Sequence, residues 1–273
     1  MYVAVYAICK DEGPFVDRWM ASMGEADGVF VLDTGSSDGT PERLRALGAQ
    51  VREETISPWR FDTARNRSLE LVPPEADICV CTDLDEVFQP GWREKVEAAW
   101  TPGTDRLLYR YTWNFLPDGR EGTVYWYDKI HRRWGCRWVH PVHEVLAFDG
   151  GDPVARYVEG VHLEHHPDPA KSRAQYLPLL ELAVEEDPDN DRNVHYLGRE
   201  YFFHRRWEES IARPPTAPAA PPPPATAGAF ASSSPAYAFL PFSTMGRKTR
   251  AHGNATGARK NALKAIFPAL ALL

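Results

Sequence analysis

Long apolar runs are missing from this chain. None of its hydrophobic stretches approaches the roughly 20 residues a helix needs to cross a bilayer, and the N-terminal YVAVYAICKDEG carries neither a basic n-region nor a small-residue cleavage site. No transmembrane segment and a cytoplasmic location are the expectations. Cysteine is scarce: Cys9, Cys79, Cys81 and Cys136 are too few and too scattered for a disulfide framework in 273 residues. Buried free thiols are expected, with Cys79 and Cys81 on one strand face. A zinc site built from Cys79, Cys81, Cys136 and a histidine is the alternative, although the paired C-x-x-C spacing is absent. Acidic residues vanish part-way along, because all 38 Asp and Glu lie at or before Glu209 while seven Lys and Arg lie beyond it. The chain before Arg213 therefore carries about −14 and the remainder about +7, behind an overall −7.

What is present begins as alternating strand and helix, the pattern of an α/β fold with a largely parallel sheet. YVAVYAIC, GVFVLD, AQVREE and ADICVCTD read as four strands. GPFVDRWMASMG, TPERLRALG and FDTARNRSLELV read as the helices between them, with Thr40 as an N-cap, Pro41 at the first helical position and Gly48 as a stop. After the amphipathic GWREKVEAAW the period changes to two, and RLLYRYTWNFLPDGREGTVYWYDKIHRR reads as an aromatic-rich hairpin around Pro117-Asp118-Gly119. VHEVLAF and VARYVEGVHLEHH read as further strands, PAKSRAQYLPLLELAVEED and DRNVHYLGREYFFHRRWEESI as helices. Leu197-Gly198, Tyr201 and Trp207 match small and aromatic positions of a tetratricopeptide helix pair. Beyond them a Pro/Ala-rich stretch, a basic turn-prone segment and a short apolar end break off a half-finished helix. That tail reads as disordered or as translation of a shifted reading frame, with a basic arm for an anionic membrane surface or nucleic acid as the functional alternative.

Chemistry concentrates where strands end. CVCTDLDEVF closes an apolar strand with three carboxylates, Asp83, Asp85 and Glu86. Ionised carboxylates are almost never buried unpaired, so a positive or hydrogen-bonding group should meet them, a metal ion first, and an i, i+2 pair at a strand mouth suits a hard divalent metal that also bridges diphosphate oxygens. VLDTGSSDGT places Asp33 before a tight loop that leads into a helix; it suits either a nucleoside contact or an ordinary strand-to-helix turn. FDTARN puts Arg65 and Asn66 on a helix start behind Trp59 and Phe61, suited to phosphate and ligand orientation or to a solvated face. Trp113, Trp126, Trp134 and Trp138 suit either stacking on sugar rings or a core beneath the hairpin.

In this order and at these intervals AICKDEG, VLDTGSSDGT, FDTARN and CTDLDE resemble the family 2 glycosyltransferases, closest to bacterial and phage members with a tetratricopeptide-like extension. The likeness covers roughly residues 2 to 211. It implies a GT-A fold, a Rossmann-like mixed sheet flanked by helices, over residues 1–168, a short helical extension over 169–212 and the tail over 213–273. It also implies an inverting transferase of the hexosyltransferase type, a nucleotide-sugar donor with UDP as the leading nucleotide and GDP or dTDP left open, and Mn2+ or Mg2+ as cofactor. The acceptor would be a glycan, a lipid-linked molecule or a protein, and no nucleic acid is expected. By the same resemblance Asp33, Arg65, Asn66 and Asp83 bind the nucleotide sugar. Asp85 takes the metal with His165, or failing that His162, and Glu144, beside His143 in WVHPVHEVL, is the base that deprotonates the acceptor hydroxyl.

Two other classes compete. DLDEV also fits the D-x-D-x-V of haloacid-dehalogenase-type phosphatases, with Asp83 as covalent nucleophile, although the motif falls on the fourth strand and no later Gly-Asp-x-x-x-Asp cluster follows. A non-catalytic or truncated binding protein would keep the nucleotide site and lose transfer.

Overall fold

An unbroken apolar run makes β1 (Val3–Cys9), buried on both faces as the centre of a parallel sheet requires. In this computed structural model, which describes residues 1–168, 171 and 173–212, β2 (Gly28–Asp33) and β4 (Ile78–Cys81) pair parallel to β1 on its two sides. β3 (Gln50–Glu53) pairs parallel outside β2. The crossovers are α1 (Val16–Met23), α2 (Thr40–Ala46) and α3 (Phe61–Leu69). The chain leaves β1 toward β2 on one side and returns through α3 to β4 on the other. The connections therefore diverge between β1 and β4, the switch point beyond which open α/β sheets bind ligands.

The expected hairpin forms β6 (Arg106–Thr112) and β7 (Val124–Arg132), antiparallel, with Gly119 at φ 83° in its turn. β7 inserts beside β4, antiparallel to it, and β10 (Ala155–His165) runs parallel to β6. A three-residue strand, β5 (Glu86–Phe88), pairs antiparallel with the end of β10. Eight strands thus form one mixed sheet in the order β3-β2-β1-β4-β7-β6-β10-β5, with α4 (Trp92–Ala99) following β5. β8 (Cys136–Val139) and β9 (Val145–Phe148) make a separate two-stranded sheet. The expected α/β class, a mixed sheet flanked by helices, is the observed one.

Alternation along β1 divides the core. Val3, Val5 and Ala7 pack with Trp19, Met23, Leu44 and Trp92, while Ala4 and Tyr6 pack on the other side with Phe30, Leu69 and Trp138. Cys79 and Cys81 share that second side, as their spacing predicts, and all four cysteines are free thiols.

Three helices follow the sheet: α5 (Tyr176–Glu186), α6 (Asp191–Phe203) and α7 (Trp207–Ala212). Leu179, Leu180, Val184, Leu197 and Tyr201 form their core and close over Val142, Trp59 and Phe61. The sequence reads α6 and α7 as one helix, but Arg205 adopts φ 59°, and the Arg206 amide reaches back to the Tyr201 carbonyl at 2.8 Å. This is a helix-ending motif with a left-handed residue just past the end, made here by arginine rather than the usual glycine. Thr40 also differs from expectation. Gly39, at φ 83°, is the N-cap, and Thr40 is buried inside the first turn with its hydroxyl on Asp38. Among the described residues no helix is long and apolar enough to cross a membrane. The described residues all belong to the compact unit Met1–Ala219. The other unit, Ala220–Leu273, and the expectations for residues 213–273 lie outside the described residues.

Candidate active site

The loop after β4 runs straight into the switch point, so Asp83 and Asp85 sit where the topology opens the sheet. Their surroundings differ sharply. Arg65 comes off α3 at 3% exposure; its Nη2 pairs with Asp83 Oδ1, its Nε donates to Glu144 Oε1 at 3.0 Å, and Nη1 lies 3.4 Å from the Thr82 carbonyl. Lys129, from β7, reaches the other Asp83 oxygen at 3.5 Å. Burial would raise the Asp83 carboxyl, but the Arg65 and Lys129 charges outweigh it and hold it well below the usual carboxylate range. Arg65 and Lys129 are in turn held protonated by Asp83 against their own burial.

Glu86 takes a third environment. It is 1% exposed, accepts a hydrogen bond from the Tyr111 hydroxyl at 2.7 Å and another from the Asp83 amide at 2.9 Å. Burial pushes its carboxyl up to about 7, and Asp83 and Asp85 push the same way against Lys129. Asp85 has no cationic Arg or Lys partner among the described residues. It faces His165, whose Nε2 lies 3.3 Å from Asp85 Oδ2. The other His165 nitrogen, Nδ1, lies 2.9 Å from the Trp113 carbonyl. A carbonyl only accepts, so Nδ1 carries the proton, and in the neutral ring the Nε2 lone pair points at a carboxylate. That arrangement favours positive charge between them, either a second proton on the ring or a metal ion. The His165 pKa is accordingly raised: burial lowers it, and Asp85 more than offsets this.

One carboxylate and one imidazole, the latter oriented through its second nitrogen, are suitable donors for Mn2+ or Mg2+, which commonly takes its remaining oxygens from phosphate and water. Among the described residues no group of three or more His, Cys, Asp or Glu could hold a metal by itself. His162 lies elsewhere, with Nε2 2.8 Å from both Arg110 Nη1 and Thr112 Oγ1.

The other residues singled out by sequence are bound into the scaffold. Asp33 is 1% exposed. It accepts from the Gly35 and Ser36 amides at 2.9 Å each and from the Ser36 hydroxyl, and Cys9 Sγ lies 3.3 Å away. Its carboxylate thus organises its own loop. Asp11 takes the Ser37 amide at 2.7 Å and Asp38 the Gly13 amide at 2.9 Å, so this loop is laced to the one after β1. Beyond β3 a cavity of about 240 Å³ opens between Glu54, Ser57, Pro58, Arg60 and Thr63, and the Glu54 amide bonds to the Asp33 carbonyl. Asn66 clamps the backbone of Trp138, donating to its carbonyl and accepting from its amide at 2.9 Å each. It ties α3 to β8 and so fixes the strand pair that leads to Glu144. His143, at φ 52°, stacks on Tyr196 of α6 with ring centres 4.0 Å apart.

Lys129 was not singled out from sequence, although Tyr127, Lys129 and His131 alternate on one face of a buried strand. A lysine on such a face signals a carboxylate partner. The pairing of Glu12 with Lys171 was also not read, because 159 residues separate them.

No family model matches the chain. Solved structures that resemble part of it include glucosyl-3-phosphoglycerate synthase from Mycobacterium tuberculosis in complex with Mg2+ and UDP, and the same enzyme with Mn2+ and UDP-glucose. A further complex holds Mn2+, UDP and phosphoglyceric acid. In each case identity is 23% and the TM-score 0.35, over 40% of this chain and 43% of the synthase. The chain thus matches less than half of the synthase's length.

Proposed function

We propose that this chain is a metal-dependent, inverting glycosyltransferase of the GT-A type that moves a sugar from a nucleotide diphosphate, UDP in the first instance, to an acceptor hydroxyl. Residues 1–168 carry the chemistry and the helices within 169–212 flank the acceptor side. The observation that carries the reading is the division of labour at the end of β4. Asp83 is neutralised by Arg65 and Lys129, while Asp85 is left facing an imidazole lone pair at the switch point.

In this reading the loop organised by Asp33 and the cavity beside Glu54 receive the nucleoside. Arg65 and Lys129 bring positive charge next to the diphosphate, with Asp83 fixing both side chains and Asn66 holding α3 in place. Asp85 and His165 would hold a divalent cation, which supplies charge against the diphosphate as it leaves. Glu144 is anchored through Oε1 by Arg65, while Oε2 has no partner among the described residues. That oxygen takes the proton from the attacking hydroxyl.

The test is release of nucleoside diphosphate from a panel of UDP-, GDP- and dTDP-sugars with Mn2+ present. Glu144→Gln is expected to lower turnover by about 10²–10⁴-fold with nucleotide affinity retained. Release of inorganic phosphate from simple esters, with every nucleotide sugar left intact by the folded chain, would contradict the reading in favour of Asp83 as a phosphatase nucleophile.

A further inference from the structure

Before Arg213 the chain is strongly acidic, yet one region gathers more cations than carboxylates. The Tyr196 ring of α6 has the Arg199 guanidinium 4.6 Å and the Arg192 guanidinium 5.0 Å from its centre, with His143 stacked at 4.0 Å and His195 at 5.5 Å. A third guanidinium, Arg173, lies 4.6 Å from the centre of Tyr176, which itself packs edge-on to His143 at 5.7 Å. Among the described residues neither Arg192 nor Arg199 forms a salt bridge. Glu200 is the carboxylate nearby, and it stands 3.9 Å from Arg173 and 3.6 Å from His204.

Three polar atoms inside this group, Arg199 Nε, His143 Nε2 and His195 Nδ1, are buried with no hydrogen-bond partner. Buried polar atoms without partners are rare and costly, Arg199 Nε being a donor whatever its surroundings, and like charges at this spacing repel. Cation–π contact with Tyr196 holds the guanidinium groups but does not neutralise them. The neighbouring field is correspondingly positive: burial first, and then Arg199, Arg192 and Arg173, push the His143 pKa down to about 3.

The cluster adjoins the candidate site at a defined point. His143 precedes Glu144, the Arg192 guanidinium donates to the His143 carbonyl, and Tyr176 packs against Phe61 on α3, the helix that carries Arg65. Among the described residues no hydrogen bond or ion pair joins it to the loop that Asp33 organises.

We infer that Arg173, Arg192 and Arg199, arrayed around Tyr196 and His143, form a subsite for an anionic group, a phosphate or carboxylate, carried by the acceptor. The inference rests on the glycosyltransferase reading and narrows its acceptor to an anionic molecule. Planar guanidinium groups suit such a ligand because they bind its oxygens in pairs. The diphosphate of the donor has the same chemistry, so the experiment must separate the two sources.

Inorganic phosphate titrated into the full chain at constant ionic strength, followed by the rise in melting temperature, measures the subsite directly. UDP with Mn2+, titrated separately, measures the donor site. Arg199→Gln and the exposed Arg173→Gln, each checked for folding by circular dichroism, are expected to weaken phosphate binding about tenfold, a loss of about 1.4 kcal/mol. UDP affinity should change less than about twofold. Phosphate binding that survives both substitutions would overturn the subsite. A parallel loss of UDP affinity would overturn its assignment to the acceptor and give the cations to the donor diphosphate. If the unsubstituted chain bound no UDP, the transfer reading and the acceptor role would fall together, and the phosphate titration would still decide whether an anion site exists.

Discussion

Arg65 is the residue on which the candidate site turns, because one guanidinium satisfies Asp83, Glu144 and the Thr82 carbonyl from a buried position. Removing it leaves the largely buried Glu144 carboxylate without its counter-charge and the partly exposed Asp83 with Lys129 alone. Arg65→Met is therefore expected to destabilise the fold by about 3–5 kcal/mol in urea unfolding, and Arg65→Lys to recover only part of that, since a point charge cannot serve three acceptors in a plane. His131 offers a pH test away from the chemistry. Trp138 Nε1 donates to the Tyr6 hydroxyl at 2.8 Å, and that hydroxyl lies 2.7 Å from His131 Nε2. His131 Nδ1 lies 2.7 Å from the Arg132 carbonyl, with Cys136 Sγ 3.4 Å away. The carbonyl fixes the proton on Nδ1, so Nε2 accepts and the relay is complete with a neutral ring. Burial lowers the His131 pKa to about 4; the Arg132 carbonyl opposes and the Arg133 charge assists. Between pH 6.5 and 4 the unfolded chain takes up the proton and the folded chain does not, so this contribution is present above 6.5 and is lost as pH falls. His143 acts in the same direction, and Glu86, raised in the fold, acts in the opposite one as pH rises toward 7. Comparing the chain with His131→Gln isolates His131. The stability curve of the variant should be flatter on acidification, by up to about 1.4 kcal/mol per pH unit.

At the scale of elements, local chemistry sets the helix ends and long-range pairing sets the site. The Asn190 side chain caps α6 by accepting from the Asn193 amide at 3.2 Å. Asn190→Ala should lower stability by about 1 kcal/mol, read as a shift in urea midpoint at unchanged slope. Asn66→Ala removes the two bonds that hold β8 on α3 and leaves the Trp138 amide and carbonyl unpaired, at about 1–3 kcal/mol. It should also raise hydrogen exchange in β8 and β9 above that in β1. The parallel half of the sheet was legible in sequence because β1, β2 and β4 are short apolar runs closed by polar or acidic residues, and β3, although polar, follows the Gly48 stop of α2. The hairpin was legible from its period of two and its Pro-Asp-Gly turn. β5 and β8 were not, because three or four residues carry no period and their pairing is decided by distant partners. The Arg205 break was hidden for a related reason: sequence marks a left-handed helix end by glycine, and here arginine takes that conformation. Asp83 and Asp85 were legible as a pair. Their separation into one neutralised and one open carboxylate depended on Lys129 and Arg65 arriving from other elements.

For the whole molecule, the helices after the sheet share an apolar core with the start of α3 and with the loop between β8 and β9, in which Leu180 is fully buried beside Val142. Leu180→Ala should cost about 2–5 kcal/mol, and because that core underlies the segment carrying His143 and Glu144, the loss should be accompanied by weaker phosphate binding at the Arg199 cluster. The proposed function has the switch point holding a nucleoside diphosphate through a metal on Asp85 and His165. Its most direct test is calorimetric titration of UDP into the full chain, with Mn2+ and with chelator, alongside Asp85→Asn. Binding is expected to require Mn2+ and to be lost in Asp85→Asn while the variant remains folded. UDP binding equal with and without metal, or undiminished in Asp85→Asn, would contradict it.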